Sequence, residues 1–236
     1  MKGLCPFKTY TSPSPSKERG IKGVRLISNL QKPSRTEEKK LAKQGYRLIA
    51  GVDEVGRGAL AGPVAAAAVI LPLRLKGVWL DEVRDSKLLS PIKREFLFHH
   101  IHETAISVGI GMTPPKLIDE QGIVKATRLA MKSAIDQLSP SPQSLLIDYM
   151  SLPEVTLHQK GITNGDQLCF SIACASIMAK VSRDHLMIAL DRIYPGYGLA
   201  QHKGYCTQKH LSCLHQLGPC PIHRQSFRPV RDIIER

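Results

Sequence analysis

Two apolar runs joined by a glycine-rich turn constrain this chain more than any other feature. Arg47–Asp53 and Val64–Leu71 each read as a buried strand, because short apolar segments bounded by turn residues fill the middle of a sheet. The first runs into the turn through Gly51-Val-Asp53-Glu54-Val-Gly56-Arg57-Gly58. Glycine lets a backbone turn sharply and approach a ligand closely, and strand ends are where sites form in α/β sheets. Two adjacent carboxylates at such a place either start a solvated turn or belong to a site.

The remaining elements complete a sheet. Ser90 and Pro91 open a helix to about His102, and Ala105–Met112 reads as a third strand. Lys116–Leu138 has helical periodicity, stopped by Ser139-Pro-Ser-Pro142. Ser144–Asp148 is a short apolar strand, and Asp166–Ile193 is a long helix ending before Pro195. This order predicts an α/β domain with a central mixed β-sheet flanked by helices and a short C-terminal helical region.

Charge divides the chain. Lys and Arg number 33 against 20 Asp and Glu, a net charge of +13. Residues 1–45 alone hold 11 of these cations and only three Glu. Ser-Pro repeats and the lack of periodicity mark residues 1–33 as a mostly disordered basic arm. The acid-poor start also has the composition of an organellar transit peptide, though a basic arm is the plainer reading. Ser34 and Glu37 form a candidate capping box for a short helix over 35–44, ended by Gly45. The folded domain is expected over 46–236.

The chemistry rests on acids in this basic chain. Asp148 ends the apolar run Leu145-Leu-Ile147. On the long helix, Ile177, Val181, Asp184 and Ile188 follow four-three-four spacing, which puts Asp184 on the apolar stripe. A carboxylate on a packing face is costly unless paired or bound to metal, and Lys180 and Arg183 offer an ion pair as the alternative. If Asp53, Glu54, Asp148 and Asp184 converge, they repel one another unless hard cations occupy the site. Oxygen ligands alone select Mg²⁺ or Mn²⁺ over zinc. Two such ions can activate water and stabilise the leaving oxygen of a phosphodiester.

Other features narrow the function class. A strong positive excess suits a polyanionic partner such as nucleic acid. No apolar run approaches the ~18 residues that span a bilayer, so no membrane partner is expected. Six cysteines without a Cys-x-x-Cys pair suit a reducing, cytoplasmic compartment. The six-residue gaps of Cys206, Cys213 and Cys220, with His223 beyond, fit no common structural zinc site. Tyr197-Gly198, His202-Lys203-Gly204-Tyr205 and His223-Arg-Gln-Ser-Phe-Arg228 mix cations, small residues and aromatics that suit a sugar-phosphate backbone.

These blocks together resemble the ribonuclease HII family. Gly51–Gly58 with Leu60-Ala-Gly-Pro-Val64 looks like its opening signature. Asp85-Ser-Lys87, the Ser171–Asp184 stretch, His202–Tyr205 and His223–Phe227 match later blocks in order, so the resemblance spans about residues 46–230. Ala59, Cys174, Cys206 and the Asn164-Gly-Asp166 segment depart from the usual pattern, and none of these changes removes one of the four carboxylates. The resemblance implies an RNase H-like fold and a two-metal site, Mg²⁺ or Mn²⁺, on Asp53, Glu54, Asp148 and Asp184. It implies hydrolysis of the RNA strand of RNA/DNA hybrids and cleavage 5′ of ribonucleotides embedded in DNA. Gly56, Arg57, Gly58 and Tyr205 are then expected to sense the ribose 2′-hydroxyl. Lys87, Lys180 and Lys203 complete the expected substrate contacts, in a monomeric enzyme.

Rival readings fare worse. Gly51 and Gly56 have phosphate-loop spacing, but Arg57-Gly58 replaces the required Lys and hydroxyl residue. A non-catalytic nucleic-acid module leaves the acids unexplained, since they repel phosphate. Ribonuclease HIII carries a larger N-terminal domain than 45 low-complexity residues could form.

Overall fold

The computed structural model describes residues 32–235, so the basic arm expected before residue 32 lies outside the described residues. In chain order the elements are α1 (Thr36–Lys43), β1 (Ile49–Val55), β2 (Val64–Ile70), α2 (Pro91–Thr104), β3 (Ser107–Thr113), α3 (Pro115–Gln121) and α4 (Ile123–Asp136). There follow β4 (Ser144–Asp148), β5 (His158–Ile162), α5 (Gly165–Leu168), α6 (Phe170–Ile193), α7 (Leu199–His202), α8 (Gln208–Leu217) and α9 (Arg228–Ile234). Among these residues no helix is long and apolar enough to cross a membrane.

The sheet runs β3-β2-β1-β4-β5. β1 pairs antiparallel with β2 and parallel with β4, which makes it mixed, as expected. Alternation along the strands sends side chains to two cores. Ala50, Val52, Ala66, Ala68, Leu145 and Ile147 face one side, against Ala126, Ala130 and Ala134 of α4. Ala67 and Val69 face the other, against Ala173, Ile177 and Val181 of α6 and Leu97 of α2. Gly51 sets how close α6 comes: a Cβ there would lie 2.2 Å from the backbone carbon of Ser171.

Several expectations are corrected. The helix read over Lys116–Leu138 is two helices, α3 and α4, divided at Gly122. The helix read from Asp166 begins at Phe170, because Cys169 is extended and separates the single turn of α5. β5 was not expected, while α7, α8 and α9 form the expected C-terminal helical region. The helix over 35–44 forms, but Ser34 does not cap it; its hydroxyl bonds Thr36 instead, and Glu37 pairs with Lys40 and Lys160. α1 also belongs to the body rather than to an arm. Leu41 is buried with Ile49 and Ile172, and the buried Glu38 accepts the Ser171 N–H at the start of α6 (2.8 Å). The folded unit therefore starts before residue 46.

Candidate active site

Asp53 sits near the C-terminal end of β1, one residue past Val52, which pairs with Ile147 of β4. That register sets Asp53 and Asp148 beside each other on the face covered by α6. Asp53 is buried, and its Oδ1 accepts the Glu54 N–H at 2.7 Å. Burial, then the charges of Glu54 and Asp148, hold its carboxyl well above the usual carboxylate range. Ser176 of α6 bonds Asp53 and opposes the rise, and the Ser176 hydroxyl is 2.9 Å from that of Ser86.

Glu54 lies on the opposite face of β1. Arg57 reaches its Oε1 at 3.3 Å, while its Oε2 is buried with no hydrogen-bond partner. Burial raises this group too, and Arg57 opposes the shift. Asp148 accepts the Gly165 N–H on Oδ1 at 2.6 Å. Burial raises its carboxyl, the Gly165 bond works against that, and the charge of Asp166 adds to the rise.

The fourth acid of this group is Asp166. It is buried, follows Gly165 directly, and takes the Lys87 ammonium at 3.2 Å. Burial lowers Lys87, but Asp166 and Asp85 outweigh it and its value is raised. The expected fourth ligand, Asp184, is elsewhere. Ser176 is the α6 residue at Asp53, and eight residues further along a helix is about 12 Å. Asp184 is instead bonded by Lys180 at 2.7 Å and lines an open cavity of about 290 Å³ with Arg94, Lys203 and His185. The structure thus brings Asp166, and not Asp184, beside Asp53, Glu54 and Asp148. The position of Asp184 on the apolar stripe is explained by the ion pair.

Among the described residues, no three His, Cys, Asp or Glu side chains enclose a point where an ion could sit. Arg57 and Lys87 each hold one of the acids. The four acids nevertheless fit hard divalent ions: burial raises Asp53, Glu54 and Asp148, like charge adds to the rise, and one Glu54 oxygen lacks any partner.

The remaining substrate residues surround a second feature. Gly56 has φ +88°, and a Cβ there would strike Arg183 Nε at 2.2 Å. Gly58 meets nothing, so the turn is open at that point. Arg224, fully buried, donates to the carbonyls of Gly56 (2.7 Å), Arg57 (2.8 Å) and Gly62 (3.0 Å). Arg183 donates to the carbonyls of Pro63, Ala61 and Lys203. Burial, with Arg183 nearby, lowers Arg224 to about 9. Tyr205 pairs with Ala59 through its backbone, and its ring lies 5.5 Å from the Arg183 guanidinium and 5.9 Å from Lys180 Nζ. Lys203, with φ 53°, bonds the Ala200 carbonyl through its ammonium. Thus Gly56, Arg57, Gly58, Lys180, Lys203 and Tyr205 are connected, while Lys87 stands with the acids.

The sequence reading missed Asp166, Ser176, Arg183 and Arg224 as working parts. Asp166 stands in an Asn-Gly-Asp turn just ahead of the long helix, the one signal that could have marked it. The arginines bind only carbonyls, and no sequence pattern announces that.

Known proteins agree with this architecture. The sequence profile of the family described as Ribonuclease HII matches residues 50–230. A Ribonuclease HII of Dehalococcoides mccartyi is 59% identical over 86% of the chain and 96% of its own length. One from Desulfitobacterium hafniense is 52% identical over 84% of the chain and 75% of its own. The structure of ribonuclease H2 from Pyrococcus horikoshii aligns with a TM-score of 0.68 at 26% identity, covering 80% of this chain and 97% of that one. The chain belongs to the ribonuclease HII family, endonucleases with ribonuclease H activity on RNA/DNA hybrids.

Proposed function

We propose that this enzyme also cuts 5′ of single ribonucleotides embedded in duplex DNA, leaving 5′-phosphate and 3′-hydroxyl ends. In this reading Asp53, Glu54, Asp148 and Asp166 hold two divalent ions, Mg²⁺ or Mn²⁺. The observation that carries it is the gathering of these acids from β1, β4 and α5 beside the loop that Arg224 shapes. The bound ions would supply a water nucleophile and charge stabilisation for the leaving oxygen. The chain's own residues do the rest. Ser176 and the Gly165 N–H fix the orientation of Asp53 and Asp148. The open Gly58 turn and the Tyr205 ring receive the ribose at the junction, where a 2′-hydroxyl distinguishes RNA from DNA. Lys87, Lys180 and Lys203 receive phosphates, releasing their carboxylate and carbonyl partners as they do so. The enzyme acts as a monomer in the cytoplasm of its cell.

The test is a DNA duplex carrying one ribonucleotide, incubated with Mg²⁺ or Mn²⁺ and mapped at nucleotide resolution. A single cut 5′ of the ribonucleotide, abolished by EDTA, is expected. Tyr205→Ala should lower that rate far more than Mn²⁺ affinity measured by calorimetry. Metal-independent cleavage, or cutting only within long hybrids, would sink the reading.

A further inference from the structure

Three imidazoles lie in the C-terminal region away from the acids: His202, His210 and His223, all buried. His202 and His210 stack at 4.3 Å between ring centroids. None of the three pairs with a carboxylate, and the shortest contact of each ring nitrogen assigns the protons.

His210 Nδ1 is 3.0 Å from the carbonyl of Tyr205, which only accepts, so Nδ1 is the protonated nitrogen. His210 Nε2 is 3.0 Å from His223 Nε2. A neutral His210 accepts there, so His223 carries its proton on Nε2. His223 Nδ1 is then an acceptor: it receives the Cys220 backbone N–H at 3.0 Å and faces the Cys220 thiol at 3.1 Å, and the Cys220 carbonyl at 3.3 Å is the longer contact, the one the opposite tautomer would use. His202 is settled separately: it accepts the Gly204 N–H on Nδ1 and donates from Nε2 to the Tyr197 carbonyl. The result is a one-way relay from the Cys220 N–H through His223 and His210 to the Tyr205 carbonyl. Every ring is neutral, and burial lowers both His210 and His223 to about 4, consistent with that state.

The receiving end of the relay is the peptide of the residue whose ring faces the ribose. Tyr205 is further fixed by its pairing with Ala59, and the preceding Gly204 carbonyl accepts the Leu60 N–H at 2.8 Å. Rotation of the Tyr205 peptide would therefore move both the ring and the strip of chain that follows Gly56-Arg57-Gly58.

We propose that His210 and His223 are positioning residues which, through this hydrogen-bond relay, hold Tyr205 for recognition of a single ribonucleotide. The inference rests on the reading of Tyr205 as the ribose-facing residue. His210→Phe preserves ring volume and the stack on His202 but removes the donor. It lowers cleavage at a single ribonucleotide about tenfold, with a smaller loss on long RNA/DNA hybrids and unchanged Mn²⁺ affinity. His210→Asn, whose amide can replace Nδ1 as donor, recovers most of the rate. His223→Gln, which can still donate toward His210, is closer to the parent than His223→Leu.

Nitrogen NMR of the imidazoles tests the relay without reference to activity. Protons on Nδ1 of His210 and Nε2 of His223 are expected, and the opposite tautomers overturn the proposal. Equal loss on both substrates, or His210→Asn no better than His210→Phe, also overturns it. If His210→Phe does not fold, the His223 pair and the NMR assignment decide. An unchanged substrate ratio in Tyr205→Ala defeats the ribose reading and this inference with it. A changed ratio there, with none in His210→Phe, defeats the inference alone.

Discussion

The carboxylate pocket and the loop that follows it lie within a few residues of each other on the chain and are stabilised in opposite ways. In the pocket, Asp53, Glu54 and Asp148 are buried or half-buried against like charge, and one Glu54 oxygen has no partner. In the loop, Arg183 and Arg224 are buried cations whose protons go to backbone carbonyls, and neutral imidazoles satisfy one another. The pocket holds charge that a cation from outside can relieve. The loop uses buried charge to fix a backbone, and needs nothing further. Between these two regions, hydrogen-bond satisfaction separates the pocket from the loop, although both bury charged groups.

The sharpest break of that comparison is in the pocket. Asp166→Asn should lower cleavage by about a thousandfold or more, as expected for loss of a metal ligand. Asp184→Asn, which removes only the partner of Lys180, should cost less than about tenfold. Steady-state rates on one hybrid substrate decide between them, and a greater loss in Asp184→Asn would restore that residue to the site. Asp148→Asn should raise the melting temperature of the metal-free protein, because it removes a charge that repels Asp53 and Asp166 while its amide oxygen can still accept the Gly165 N–H.

The next effect falls on the loop. Arg224→Met removes the donors to three carbonyls and should destabilise the fold by about 3 kcal/mol, read from the urea midpoint. Mn²⁺ affinity should be nearly unchanged in the folded fraction. Loss of metal binding instead would mean the two regions are a single unit.

The smallest effect distinguishes them by pH. His210 and His223 fall to about 4 in the fold from an ordinary 6.5, so the unfolded chain takes up protons first. Their contribution is complete above pH 6.5 and is lost as pH falls toward 4. The raised carboxylates act with opposite sign: folding binds their protons more tightly, so stability falls as pH rises through their elevated values. Thermal melts across pH 4 to 8 should show both slopes. Added Mn²⁺ should remove the carboxylate slope and leave the histidine one.

What could be read from the sequence followed burial. β1, β2 and β4 were legible because their apolar runs fill the sheet centre, and Asp53 and Asp148 were legible as acids ending such runs. β5 was not, since His158-Gln-Lys-Gly161 lies at the sheet edge and carries no apolar pattern. α8 falls in the C-terminal helical region that was expected, capped by Thr207 and followed by Gly218. The stripe that held Asp184 is a packing face only as far as Val181; beyond it Asp184 and the exposed Ile188 line an open cavity, where Lys180 bonds the carboxylate. Asp166 lacked any periodicity, because its place is set by a turn after β5 and by the N–H of Gly165 on Asp148.

Arg224 reaches back 168 residues to grip Gly56. During synthesis the strands carrying Asp53 and Asp148 leave the ribosome well before it, and chains fold from the N-terminal side as they emerge. A growing chain can therefore gather its acids while the turn after them is still unshaped. On the proposed function, selectivity for the ribonucleotide would then be acquired late in translation, and a product truncated before residue 224 would carry the four acids without the loop proposed to choose where they act.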